Sequence, residues 1–406
     1  MNFLILYLVY GFLPVALSVF HPHFMKFLVK RHGQKIADGI ERNDLGQHAS
    51  YGGGLKPKDF RSRPVIFIHG LGDTAETIAW NRNIFARDGG FQSEALFATT
   101  YGNGKNEGID TMFETMKCEY VLQIRRLIMA VSSYSKQPVD IVAFSLGSPL
   151  TRKAIKGGRC VDKNVRLGRS LSSRIGTFLS VAGANQGSDL CEGCSSFLGA
   201  SVCSITTAGI CSPLNGLNQN STFLKDVNNG RLYEGKYIIS LESDSDEKIG
   251  YGFPSEIPGS LRIVVKDKNH IETIFETVNL QIRTIKKFNK VRPPTALEKK
   301  REEIWKRNWQ KTIKRRNQQQ QQQIKEKRLK EKQEKQKQKS EWKKKPKKGN
   351  AAAVDSNSIN TTEAPNSATI SDSASQWVTP SIEGSPFEKY FKHNSGFSFG
   401  ISDSKK

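Results

Sequence analysis

Acidic side chains are scarce in this sequence: 39 Asp and Glu stand against 62 Lys and Arg, a formal charge of +23. Apolar residues are sparse as well. At 37% they are too few for a chain that is globular throughout and too many for one disordered throughout. No repeat of about 20 to 50 residues recurs, and no nucleic-acid-binding motif is evident, so the positive charge is weak grounds for a nucleic-acid partner. The charge is also badly distributed for such a role. Lys290 to Lys348 holds 24 basic and 7 acidic residues, +17 of the total, so the imbalance belongs to a tail and says little about the rest.

What is present divides into regions. Phe3 to Phe20 is an uncharged apolar run broken by Pro14, with small residues at Ala16 and Ser18. This predicts a signal peptide over residues 1–18, cut after Ser18. Its start has no Lys or Arg, while Lys26, Lys30 and Arg31 follow it, so an uncleaved anchor is the competing reading. Six cysteines (Cys118, Cys160, Cys191, Cys194, Cys203 and Cys211) behind such a segment predict disulfides in a secreted, extracellular protein, with the pairing left open. Cys191-x-x-Cys194 also reads as a zinc motif, the less favoured alternative. Asn220 and Asn360 head glycosylation acceptor triplets.

After an N-terminal extension (19–62), residues 63–290 alternate short β-branched runs with helix-like segments. The runs are Val65–Ile68, Val139–Val142, Thr177–Val181, Tyr237–Ser240 and Arg262–Val265. Ile109 to Ser132 reads as a helix, with apolar residues at Met112, Met116, Tyr120, Ile124 and Leu127. Buried strands alternating with helices predict an α/β fold, a mostly parallel sheet with helices on both faces. Residues 291–348 form a Lys/Gln-rich, basic, partly helical low-complexity segment with six glutamines at Gln318 to Gln323. Residues 349–406 read as a disordered Ser/Asn/Thr-rich tail. Leu297, Ile304, Trp305, Trp309 and Ile313 recur at helical spacing among cations, a pattern for contact with an anionic lipid surface or for packing on the preceding domain.

The chemistry gathers at strand ends. Val139 to Val142 runs into Ala143-Phe-Ser145-Leu-Gly147 and then into a helical stretch, Pro149 to Ile155. A nucleophilic serine needs such a strained strand-to-helix turn, with small residues two positions either side. Val65 to Ile68 leads into His69-Gly70-Leu71-Gly72-Asp73, whose flexible backbone can aim N–H groups at a developing oxyanion; His69 there suits bracing better than proton transfer. Downstream, one strand leads to Asp244 and Asp246 and the next to His270, completing the order Ser, Asp, His of a hydrolase.

Phe67 to Thr74, Trp80, Ala143 to Gly147 and Ala182 to Gly187 together resemble the class 2 lipases, secreted triacylglycerol lipases of the α/β-hydrolase superfamily. The resemblance runs from about Pro64 to Phe288. It implies Ser145 as nucleophile, His270 as general base and Asp246 as acid, with Asp244 the alternative. The backbone amides of Leu71 and Leu146 would form the oxyanion hole. The implied reaction is two-step acyl transfer on a lipid ester at an oil–water or membrane interface, needing no metal or organic cofactor. Competing readings are another ester, thioester or phospholipid hydrolase, or a non-catalytic binding protein working through the basic tail on anionic lipid or another polyanion.

Overall fold

In the computed structural model the described residues are 19–104, 108–192, 203, 209–230, 232–297, 299, 300, 303, 304 and 307. The chain divides into Met1–Ile313 and Lys314–Lys406, and every described residue falls in the first. The signal segment 1–18, Cys194, Asn360, Trp305, Trp309 and the chain from 308 onward lie outside the described residues.

All five β-branched runs form strands; four are mostly buried, and the last, at the sheet edge, is largely exposed. They are Val65–Ile68 (β2), Val139–Phe144 (β4), Ile175–Val181 (β7), Tyr237–Ser243 (β8) and Leu261–Val265 (β9). Ser50–Tyr51 (β1) and Leu96–Thr99 (β3) complete a seven-stranded sheet of order β1-β3-β2-β4-β7-β8-β9. Only β1, at the edge, runs antiparallel to its neighbour. Gly158–Arg159 (β5) and Arg166–Gly168 (β6) make a separate small ribbon.

The pleat sends alternate side chains to opposite faces. Ile66, Ile68, Phe97, Ile141, Ala143 and Phe178 join one core with two long helices, Cys118–Ser135 (α4) and Gly147–Lys156 (α5). Phe67 points the other way and meets Phe85 of Ala79–Arg87 (α3) edge-on, ring centroids 5.0 Å apart. The helix Val278–Phe288 (α8) packs with α3 and against β7. The sheet is thus covered on both faces, as expected for an α/β-hydrolase.

One sequence reading needs adjustment. Ile109 to Ser132 is not one helix: a 3-10 stretch covers Gly108–Phe113 and α4 starts only at Cys118. Between them the Met116 N–H donates to the Asn215 carbonyl (2.8 Å), tying the backbone to a distant loop instead of to its own preceding turn. The N-terminal extension 19–62 packs on the domain. Its helices Pro22–His32 (α1) and Gln34–Glu41 (α2) bury Phe24, Leu28, Ala37 and Ile40 in the α4–α5 core, and Phe20 just ahead of α1 is buried there too.

Disulfides join Cys118 to Cys160 and Cys191 to Cys211, and Cys203 is also disulfide-bonded. Cys191 is therefore spent in a crosslink rather than offered to zinc. Asn220 is exposed ahead of the short helix Thr222–Asn228 (α6). Among the described residues no helix is long and apolar enough to cross a membrane.

Candidate active site

Ser145 sits between β4 and α5 with φ of 53°, in the left-handed region that few residues other than glycine adopt. Its N–H donates to the Val181 carbonyl on the neighbouring strand (3.1 Å), which fixes this turn. The requirement for small flanking residues has a measurable cause at Gly147. A Cβ there would lie 2.3 Å from the His69 carbonyl oxygen, so only glycine lets α5 start this close to the end of β2. Ala143 is fully buried in β4, in register with Ile68 and Ser180.

The hydroxyl of Ser145 donates to Nε2 of His270 at 2.9 Å. Nδ1 of His270 donates to Asp246, 2.8 Å from Oδ2 and 3.0 Å from Oδ1. A carboxylate only accepts, so this contact puts the ring proton on Nδ1 and leaves the Nε2 lone pair facing the serine. All three residues are buried. His270 opens the helix His270–Phe275 (α7), whose start is held by a reciprocal capping box between Asn269 and Glu272. The His270 N–H donates to Glu247 (2.9 Å), and the Phe144 ring packs on the imidazole at 4.8 Å. Asp246 Oδ1 also accepts the N–H groups of Lys248 and Ile249 at 3.0 and 2.9 Å, which fixes the carboxylate.

Asp244 goes elsewhere. It is exposed and accepts the Asp267 N–H at 2.8 Å, bracing a turn in which Asp267 has φ of 54°. Of the two aspartates, Asp246 is the one brought to His270.

Leu71 and Leu146 both line a cavity of about 20 Å³. That is room for a single water-sized oxygen rather than an acyl chain. Neither amide donates to a protein acceptor among the described residues, so both N–H groups are open to a ligand oxygen. Asp73 adjoins them, its carboxyl pushed up to about 6 mainly by burial.

His69 is a brace. Nε2 accepts the Tyr101 N–H (3.1 Å), so Nδ1 carries the proton and donates to the Gly70 carbonyl (2.8 Å). Burial lowers its pKa from 6.5 to about 4. A depressed histidine pKa means the folded state holds the neutral ring while the unfolded chain takes a proton below pH 6.5. The stability contributed is complete above pH 6.5 and lost as pH falls to about 4. Asp73 and Asp140, both raised to about 6 chiefly by burial, act oppositely: they cost stability as pH rises from about 4 to 6. Comparing wild type with His69→Gln isolates the histidine. The stability advantage of wild type, from urea unfolding, is expected to shrink by about 3 kcal/mol between pH 6.5 and 4. A difference independent of pH would mean that His69 is not held neutral.

Phe144, Glu247 and Tyr101 were not singled out from the sequence. Phe144 alone carried a signal, as the aromatic directly before the serine of the turn.

The class 2 lipase family model matches residues 62–283. Comparison with curated proteins finds no match. Among solved structures, Aspergillus fumigatus lipase B is 16% identical with a TM-score of 0.36, the match covering 55% of this chain and 48% of that one. The chain thus spans about half the length of that lipase. Mature Bacillus licheniformis lipase BlEst2 is 12% identical with a TM-score of 0.40, covering 58% and 96%. The monoacylglycerol lipase of Paleococcus ferrophilus is 9% identical with a TM-score of 0.34, covering 58% and 97%. With more than half of its length matched by the family model, the chain belongs to the class 2 lipases.

Proposed function

We propose that this protein is a secreted serine lipase that hydrolyses the carboxylic esters of acylglycerols through Ser145, His270 and Asp246. The observation that carries the reading is the unbroken chain from Ser145 Oγ to His270 Nε2 (2.9 Å) and from Nδ1 to Asp246 (2.8 Å). Family membership supports ester hydrolysis of lipids; the disulfides support an oxidising, extracellular setting.

Ser145 attacks the ester carbonyl as its proton passes to His270 Nε2. The imidazolium is then stabilised by Asp246, which stays ionised throughout. Negative charge moves onto the carbonyl oxygen, and the amides of Leu71 and Leu146 are the donors best placed to receive it. His270 returns the proton to the leaving alcohol, and the ester becomes an acyl-serine. Water then enters, gives its proton to the same nitrogen, and releases the fatty acid by the reverse sequence.

Fold and triad do not choose among esters, thioesters and amides. The test is therefore an activity profile of purified protein on p-nitrophenyl esters of graded chain length beside emulsified triolein. Hydrolysis of triolein and of the long-chain esters is expected. Activity confined to acetate or butyrate esters would make the protein an esterase of small substrates, and the acylglycerol assignment would fall.

A further inference from the structure

The glycine-rich loop after β2 faces a physical difficulty. Gly70 is forced on it by close packing, since a Cβ would lie 2.9 Å from the Phe144 ring and 3.0 Å from Asp73 Oδ2. Glycine also frees the backbone torsions, and the next peptide carries the Leu71 N–H. In a trans peptide the carbonyl and the following N–H point in opposite directions. Rotation of the Gly70–Leu71 peptide would therefore swing that N–H away from any bound oxyanion.

The Gly70 carbonyl accepts the Asp73 N–H weakly, at 3.4 Å, and is held more closely by two side chains. His69 Nδ1–H donates to it at 2.8 Å, and the Tyr101 hydroxyl reaches it at 3.1 Å while sharing its proton with the His69 carbonyl, also at 3.1 Å. The Tyr101 ring is itself fixed. It stacks on the His69 imidazole with centroids 4.0 Å apart and planes 6° from parallel, and Tyr120 lies against it at 5.5 Å. Its backbone N–H closes the circuit by donating to His69 Nε2. We infer that Tyr101 is a positioning residue of the oxyanion site: its hydroxyl holds the Gly70 carbonyl so that the Leu71 N–H stays turned toward the reacting oxygen.

Tyr101 touches no reacting atom in this scheme and acts only through the peptide. Burial, with Asp73 nearby, raises its hydroxyl well above the ordinary value of 10, so it remains a donor at every working pH. The inference rests on the proposed role of Leu71.

The test is Tyr101→Phe, which deletes one oxygen and keeps the stacked ring. Removing an oxyanion donor outright lowers kcat about 100-fold to 1,000-fold, and a donor misaimed for part of the time loses less. A fall in kcat of about tenfold is expected, with KM within about twofold and the pH profile unchanged. The deciding readout is a pair of substrates, a carboxylic ester and its thiono analogue, whose C=S sulfur is a poor hydrogen-bond acceptor. Loss of folded enzyme slows both alike, so their rate ratio does not depend on how well the variant folds. The preference for the oxygen ester is expected to shrink by about fivefold to tenfold relative to wild type. An unchanged ratio overturns the inference. If Ser145→Ala retains full activity, the underlying functional reading has failed instead, and the two failures are told apart in one experiment.

Discussion

Ser145→Ala is expected to lower kcat about a millionfold on a short-chain ester, with little change in KM. The size of the effect follows from what the hydroxyl does. In the proposed mechanism it is the atom that forms the covalent intermediate, and without it only binding and the oxyanion donors remain, worth about a thousandfold over water. The fold should survive. Alanine keeps the φ of 53° at the same steric cost as serine, and one hydrogen bond, to His270, is lost. Stability should therefore change by no more than about 1 kcal/mol. Covalent labelling by a fluorophosphonate is expected to vanish in the same variant. Ser148 and Ser180 are the nearby alternatives, but they bond to each other at 2.8 Å, and Ser148 also to Asn185 at 2.7 Å, without a histidine. Label persisting on either serine would overturn the nucleophile assignment.

The parallel sheet and the Ser–His–Asp constellation were legible because their signals are local. Each of the five strands read from the sequence was a short β-branched run, and each residue of the candidate triad lay just past the end of one. The choice between Asp244 and Asp246 was less accessible, since they stand two positions apart in a polar loop. β8 ends at Ser243, and the turn that follows leaves one aspartate in solvent and carries the other to His270. Tyr101 was hidden for a related reason. Leu96–Thr99 has one β-branched residue, Thr99, so β3 went unrecognised and the residue two positions beyond it attracted no notice. Its partners, His69 and Gly70, are about thirty residues away in sequence, and only the pairing of β3 with β2 brings them together. The N-terminal extension was recognised as a segment, but nothing in its own sequence says what it packs against. Phe20, Phe24 and Leu28 are buried in the core they share with the strands and helices of the main domain.

The acid and the base make the second large prediction, and they separate the two aspartates. His270→Ala is expected to lower kcat by about a millionfold, close to the loss at Ser145, because the serine hydroxyl then has no proton acceptor. Asp246→Asn should cost about ten-thousandfold. The amide presents an N–H where the carboxylate accepted one, so Nδ1 is driven to the lone-pair tautomer and Nε2 faces the serine carrying a proton. Electrostatic support for the imidazolium is lost in the same step. Asp244→Asn is expected to stay within about threefold of wild type, since its Oδ1 accepts from the Asp267 N–H and the Ser245 hydroxyl and an amide oxygen can still accept there. KM should be nearly constant in all three, because none of these groups is assigned to binding the acyl chain. The order to be measured is therefore His270→Ala slowest, Asp246→Asn next and Asp244→Asn near wild type, each compared at its own pH optimum. If Asp244→Asn were crippled while Asp246→Asn worked normally, the 2.8 Å contact between Asp246 and His270 would be structural and the acid would have to be sought in the other aspartate.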